Sequence, residues 1–438
     1  MGHLGTKDNY LALEEKIDGL WLRTPKRKSF HDLLKQLYTA EEARFVSRMS
    51  WSFANLAQVA RDTGTAPAEA LAMLDSLAEK GLVLDLAPAG ETLYVPSPIV
   101  IGIFEFTMMR TDGQVDKKVA ARLFQDCMLE AGTFFAANFG EDSRMSVMRT
   151  LPHETTVRAE SAVEILDYEK AHALVDGFDT FGLGLCSCRH KTGHLGTKKC
   201  DTPEESCLSF GPAADYLLRH KMARGITRAE THKALEISLE YGLVLNADNT
   251  RRGIRFICQC CACCCTMLKG VSQYGYANTL ITSTFIARVR QDDCIGCGKC
   301  AKACPIHAIE MVPAPPREDG KKRKKARINE DLCLGCGVCS LSCKTDSLAL
   351  EKRAQRVIHP ETTFERVILQ TLDKGTLANQ IFADPNSLTQ KALRGVVGGF
   401  LRLPPVKQAL MSDQLRSRFL TAMRAGIRLQ GKGWLLDV

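Results

Sequence analysis

The sequence predicts an α+β multidomain chain: helical at the start, mixed helix and strand through a cysteine-rich α/β centre, then a twice-repeated cysteine module and a helical tail. Three observations carry that prediction. Apolar residues recur at helical spacing from Leu33 to Ser50 and again from Pro67. Short apolar runs, Leu82-Val83-Leu84 and Leu243-Val244-Leu245, follow Gly81 and Gly242, the pattern of a strand after a helix stop. All of the 19 cysteines except Cys127 lie between Cys186 and Cys343, so one stretch of chain concentrates the chemistry. The 438 residues divide into expected domains at 1–110, 111–285, 286–352 and 353–438.

The first domain opens on helical residues Leu33, Leu34, Leu37, Tyr38, Phe45 and Val46. A helix carrying Leu56, Val59 and Ala60 stops at Asp62-Thr63-Gly64, and a second from Pro67 buries Ala70, Leu71, Leu74, Leu77 and Ala78 before Gly81. Leu82–Leu84 and Thr92–Val95 then form a hairpin, so the unit resembles a winged helix-turn-helix. Its second helix offers Glu69, Asp75, Ser76, Glu79 and a single Lys80, whereas groove readers need cations and amides. Packing or dimerisation is therefore the expected role, and DNA is not an expected partner.

In the second domain Cys127 stands alone on the helical run Ala120–Ala131 and reads as core. Thr227-Arg228-Ala229-Glu230 has the form of a capping box, and its helix runs to Tyr241-Gly242. A strand at Leu243–Leu245, a turn at Asn246–Thr250 and a run at Gly253–Ile257 should deliver the chain into the densest cysteines. Gly2–Lys7 recurs identically as Gly193–Lys198, for which we have no physical account. After Glu351 the chain turns helical and basic, with breaks at Asp384-Pro385 and Pro404-Pro405, suited to wrapping another domain or to docking.

Composition is that of a soluble protein, 45% hydrophobic and 25% charged, and no stretch approaches the roughly 18 apolar residues of a membrane span. Met1–Tyr10 lacks an export signal, so a cytoplasmic location is expected. Clustered, odd-numbered cysteines in such a chain indicate metal binding rather than disulfides. The net charge of +8 is local: residues 317–327 hold seven basic and two acidic residues, and residues 391–432 hold nine Lys or Arg against Asp413 alone. Arg317–Arg327 reads as a solvated loop or as a docking site for an acidic redox partner.

Cys294, Cys297, Cys300 and Cys304 follow the spacing Cys-x2-Cys-x2-Cys-x3-Cys-Pro, and Cys333, Cys336, Cys339 and Cys343 repeat it 39 residues later. Thiolates are soft ligands for iron, and three at two-residue intervals let one loop grasp three corners of an iron–sulfur cube. Gly296, Gly298, Gly335 and Gly337 sit where that loop must curl. Structural zinc gains nothing from a third cysteine in series. Residues 290–352 resemble bacterial dicluster ferredoxins. The resemblance implies two [4Fe-4S] clusters with crossed fourth ligands: Cys343 joins Cys294, Cys297 and Cys300, and Cys304 joins Cys333, Cys336 and Cys339. The chain departs from that pattern at Lys344, where the family has proline, and in the basic insert; a cation near Cys343 should raise the cluster's potential.

Ten more cysteines fall in two bursts. The first, Cys186, Cys188, Cys200 and Cys207, supplies four thiolates, the ligand number of one cluster. The second is Cys258, Cys260, Cys261, Cys263, Cys264 and Cys265. A strand would gather Cys261, Cys263 and Cys265, and a helical turn Cys260, Cys263 and Cys264, with a further ligand from the first burst. At least one additional iron–sulfur cluster is expected here, with zinc or another thiophilic metal, or redox-active thiols, as alternatives. Arg189, His190 and His194 could tune or ligate a centre, but cations and histidines flanking loops are usually solvated, so they are read as solvated flanks and not as ligands. Together these motifs resemble winged-helix-bearing ferredoxin-type redox proteins of anaerobic bacteria, a likeness that implies no defined substrate.

The function expected is an electron-transfer protein or redox-enzyme subunit, an oxidoreductase component that works with a redox partner protein. No nucleotide or flavin loop is seen. A redox-sensing winged-helix transcription regulator, and an enzyme reducing a small substrate at the central cysteines, are the alternatives.

Overall fold

The computed structural model describes residues 8–87, 90–162, 165–315, 323–355 and 357–436. The first GHLGTK copy and residues 317–322 of the basic run lie outside them. No described helix is long and apolar enough to cross a membrane.

Local signals place the N-terminal helices. Lys28–Leu37 buries Phe30, Leu33, Leu34 and Leu37 on one face. Ala40–Arg48 starts on a capping box in which Thr39 and Glu42 exchange side-chain and main-chain hydrogen bonds. Helix Leu56–Thr63 is capped by Asn55 and closed by Gly64 at φ +70°, and Pro67–Glu79 begins on proline. Strands Val83–Leu86 and Leu93–Pro96 pair antiparallel, with Ala54–Asn55 added at the far edge. This hairpin docks on the central region: Arg219 and His220 reach Asp85 at 2.7 and 2.9 Å.

The centre is a six-stranded antiparallel sheet in the order Met148–Leu151, Val244–Asp248, Phe256–Cys260, Glu205–Phe210, Phe181–Leu185 and Ala223–Gly225. Helix Arg228–Glu240 starts on the expected Thr227 capping box. The hairpin after it runs further than its sequence suggested, because Phe256–Cys260 pairs on both sides; Cys258 and Cys260 therefore lie within a strand instead of beyond its end.

In the cysteine module, Phe285–Val289 pairs with Leu348–Lys352 and Ile309–Ala314 with Arg323–Ile328. The described end of the basic run is thus a strand, with Ala326 buried, and not a loop. One cluster of buried apolar side chains joins Leu13 and Phe30 through Phe124 and Phe135 to Phe285 and Leu350. A separate cluster lies under the C-terminal helices, formed by Phe364, Ile368, Leu372, Met411 and Leu420. Helix Thr363–Lys374 is pinned by Lys374, whose ammonium is buried against Asp373 (2.7 Å), Ser143 Oγ (2.6 Å) and the carbonyls of Asn138 and Met145.

Candidate metal centres

Two short loops build the ferredoxin-like module. Gly296, Gly298, Gly335 and Gly337 all adopt φ between +68 and +85°, a region that disfavours side chains. A Cβ on Gly296 would stand 1.9 Å from the Lys324 carbonyl oxygen, and one on Gly335 2.0 Å from that of Phe285, so each cradle closes on bare backbone. A small cavity is lined by Cys294, Cys297, Cys300 and Cys343. Cys304 lies with the second loop, where its charge acts on Cys336 and Cys339. Burial pushes the Cys336 thiol up to about 12, with Cys333 and Cys304 adding to it, a cost that a metal cation removes by replacing the proton. Sulfur also finds donors: Ala308 N–H approaches Cys304 Sγ at 3.3 Å and Ser347 Oγ approaches Cys343 Sγ at 3.4 Å. The donor set, the cradles and these contacts fit iron–sulfur clusters.

Each loop is clamped by an arginine that sequence reasoning missed. Arg323 donates to the Cys294 carbonyl and Arg353 to that of Cys333, each at 2.5 Å. The two contacts come from 29 and 20 residues away, so no local pattern reveals them. Cys343 takes its hydrogen bonds from Ser347 and Thr345, which outweigh burial and lower its pKa.

The ten central cysteines divide in a way their order along the chain does not suggest. Cys200, Cys261, Cys263 and Cys264 lie with all four Sγ atoms within 4.8 Å of one another. Cys186, Cys188, Cys207, Cys258, Cys260 and Cys265 line a cavity of about 380 Å³, which Cys261 and Cys264 also touch. The first burst is therefore split. Sheet pairing sets Cys207 opposite Cys258, while Cys200 joins the turn after Cys260. That turn gathers Cys261, Cys263 and Cys264, neither of the trios expected for a strand or a helix, and Cys265 leaves it at the start of helix Thr266–Ser272.

Arg189 corrects the sequence expectation most sharply, since it is fully buried, not solvated. It donates to the carbonyls of Gln259 (2.5 Å) and Pro203 (3.3 Å) and to Ser206. Burial opposes its charge, and the thiolates of Cys186, Cys261 and Cys260 restore it, raising its pKa. Lys191 is equally buried, donates to Gln125 at 2.9 Å, and is lowered to about 8 by burial despite Cys188. The signal in the sequence was their place on helix Ser187–His194, directly after Cys186 and Cys188. Cys260 is lowered to about 6, first by a hydrogen bond from Cys258 and then by one from Cys265. His190 bonds the Met108 carbonyl and His194. Cys127 is buried in the core, its thiol pushed up to about 12.

No curated protein and no solved structure matches the chain. Residues 293–347 match the 4Fe-4S dicluster domain family, and with its cysteine-rich centre this makes the chain an iron–sulfur protein of the electron-transfer type.

Proposed function

We propose that the chain relays electrons between a redox partner protein and a central cysteine-ligated centre, through two [4Fe-4S] clusters. One is held by Cys294, Cys297, Cys300 and Cys343, the other by Cys333, Cys336, Cys339 and Cys304. Bound clusters supply one-electron transfer; the protein supplies their order. The observation that carries this reading is a gradient of burial ending on a bridge. In the first quartet only Cys294 is buried, Cys300 and Cys343 are half-buried and Cys297 is exposed, with Ile295 of the same loop 55% exposed, whereas Cys304, Cys333, Cys336 and Cys339 are all buried. From the buried loop, His153 N–H reaches the Cys336 carbonyl at 3.0 Å, and the His153 ring reaches the Leu243 carbonyl at 2.7 Å. Leu243 leads into the strand whose Val244 pairs with Cys260.

Iron and acid-labile sulfide on anaerobically purified protein, with EPR after reduction, test the relay. About eight irons would confine clusters to the module, and clearly more would support a further iron–sulfur centre at the cavity. The cavity favours a second reading, reduction of a small molecule there, because its volume suits a small-ligand site. Carbon monoxide used as a probe should then perturb the central spectrum and leave the module's unchanged. The regulator reading is weaker: helix Pro67–Glu79 is acidic on its exposed side, and Asp85 of the hairpin is engaged by Arg219 and His220. Salt-sensitive, redox-dependent DNA binding would restore it.

A further inference from the structure

Cys200, Cys261, Cys263 and Cys264 are packed more tightly than iron–sulfur ligands. Their Sγ atoms are separated by 3.6 Å (Cys200–Cys261), 3.9 Å (Cys200–Cys264), 3.8 Å (Cys261–Cys263) and 3.5 Å (Cys263–Cys264). Each pair is too distant for an S–S bond of roughly 2.0 Å. Four thiolates around one zinc at about 2.3 Å mark a tetrahedron with edges of about 3.8 Å, the spacing found. A cubane instead gives each thiolate its own iron, with sulfide between, and holds the thiolates well apart. The chain supplies its own comparison: among the described residues, neither ferredoxin-like quartet brings its sulfurs within this range.

We propose that these four cysteines hold a single tetrahedral zinc ion, distinct from the redox centres. All four positions are filled by the protein, the arrangement of a structural site with no place for water or substrate. The supports match that role. Thr192 Oγ1 donates to Cys264 Sγ at 3.0 Å, and Arg189 lies beside Cys261, where its charge offsets that of a dianionic tetrathiolate site. The ion would tie the loop of Cys200 to the turn between strand Phe256–Cys260 and helix Thr266–Ser272, fixing Cys258, Cys260 and Cys265 at the cavity. It leaves six central cysteines for the redox centre, and it stands whether or not the relay reading does.

Elemental analysis of the anaerobically purified full chain should find one zinc per chain in addition to iron. Cys263→Ser is the informative variant, because Cys263 does not line the cavity. It should lose the zinc and keep the iron, sulfide and EPR signals of the unaltered protein. Iron lost with zinc absent throughout, or zinc retained in the variant, overturns the proposal. Zinc-edge X-ray absorption on the unaltered protein needs no variant to fold: four sulfurs at about 2.3 Å are expected. Nitrogen or oxygen in that shell, or a lone tetrathiolate iron seen by EPR in place of zinc, refutes it.

Discussion

His153 Nε2 lies 2.7 Å from the carbonyl oxygen of Leu243. A carbonyl only accepts, so the ring carries its proton on Nε2, and burial lowers its pKa and keeps the imidazole neutral. The same residue's main-chain N–H donates to the Cys336 carbonyl, so His153 is a hydrogen-bonded bridge from the module to the central sheet. His153→Phe should leave iron content unchanged and slow electron exchange between the two, measured by freeze-quench EPR. Stranding the Leu243 carbonyl should also cost about 1–3 kcal/mol. An unchanged rate would remove His153 from the path.

Arg189 holds three segments together at the central cysteines. Arg189→Met removes a buried cation and strands its acceptors, a loss of about 3–5 kcal/mol. Any redox centre there should also fall in potential, because a nearby positive charge favours the reduced, more negative state. Arg189→Lys keeps the charge but not the planar fork, so it should retain most of the potential and lose part of the stability. Potentiometric EPR titration beside thermal unfolding separates the two effects; equal potentials in all three proteins would refute the electrostatic role.

What could be read in advance was what is local. Three ligands within seven residues, a glycine between them, a capping box at Thr227 and a stop at Gly81 each complete their geometry within one or two turns of chain. The central cysteines are different. Cys186, Cys188, Cys200 and Cys207 look like one set because they are neighbours in sequence, but Cys207 is placed by pairing with Cys258 and Cys200 by contact with Cys261, 61 residues away. Arg189 looked solvated because charge is usually exposed; three thiolates reverse that, and only the fold assembles them.

The glycines of the module make unequal predictions. Gly296→Ala sets a methyl 1.9 Å from the Lys324 carbonyl at φ +72° and should empty the proposed centre of Cys294, Cys297, Cys300 and Cys343, halving the iron of the proposed two-cluster module. Gly298→Ala meets nothing nearer than Met311 Cγ at 4.0 Å, so it should bear only backbone strain of about 1 kcal/mol and retain its iron. Iron per chain, with EPR of the reduced protein, distinguishes them. Equal iron in both variants would show that close approach of the backbone is not what the first glycine provides.

Glu105 lines the cavity, and burial raises its carboxyl to about 7, even though Gly102 N–H bonds Oε2 at 3.1 Å. In the unfolded chain the same group ionises near 4.5. Between those values the folded protein holds the extra proton, so stability falls as pH rises through this window, and the full penalty is present above about 7. Glu105→Gln keeps an acceptor for Gly102 and cannot ionise. Its melting temperature should match the unaltered protein's at pH 4.5 and exceed it by a widening margin up to pH 7, then by a constant one. A margin that does not change with pH would mean that Glu105 is not held protonated by the fold.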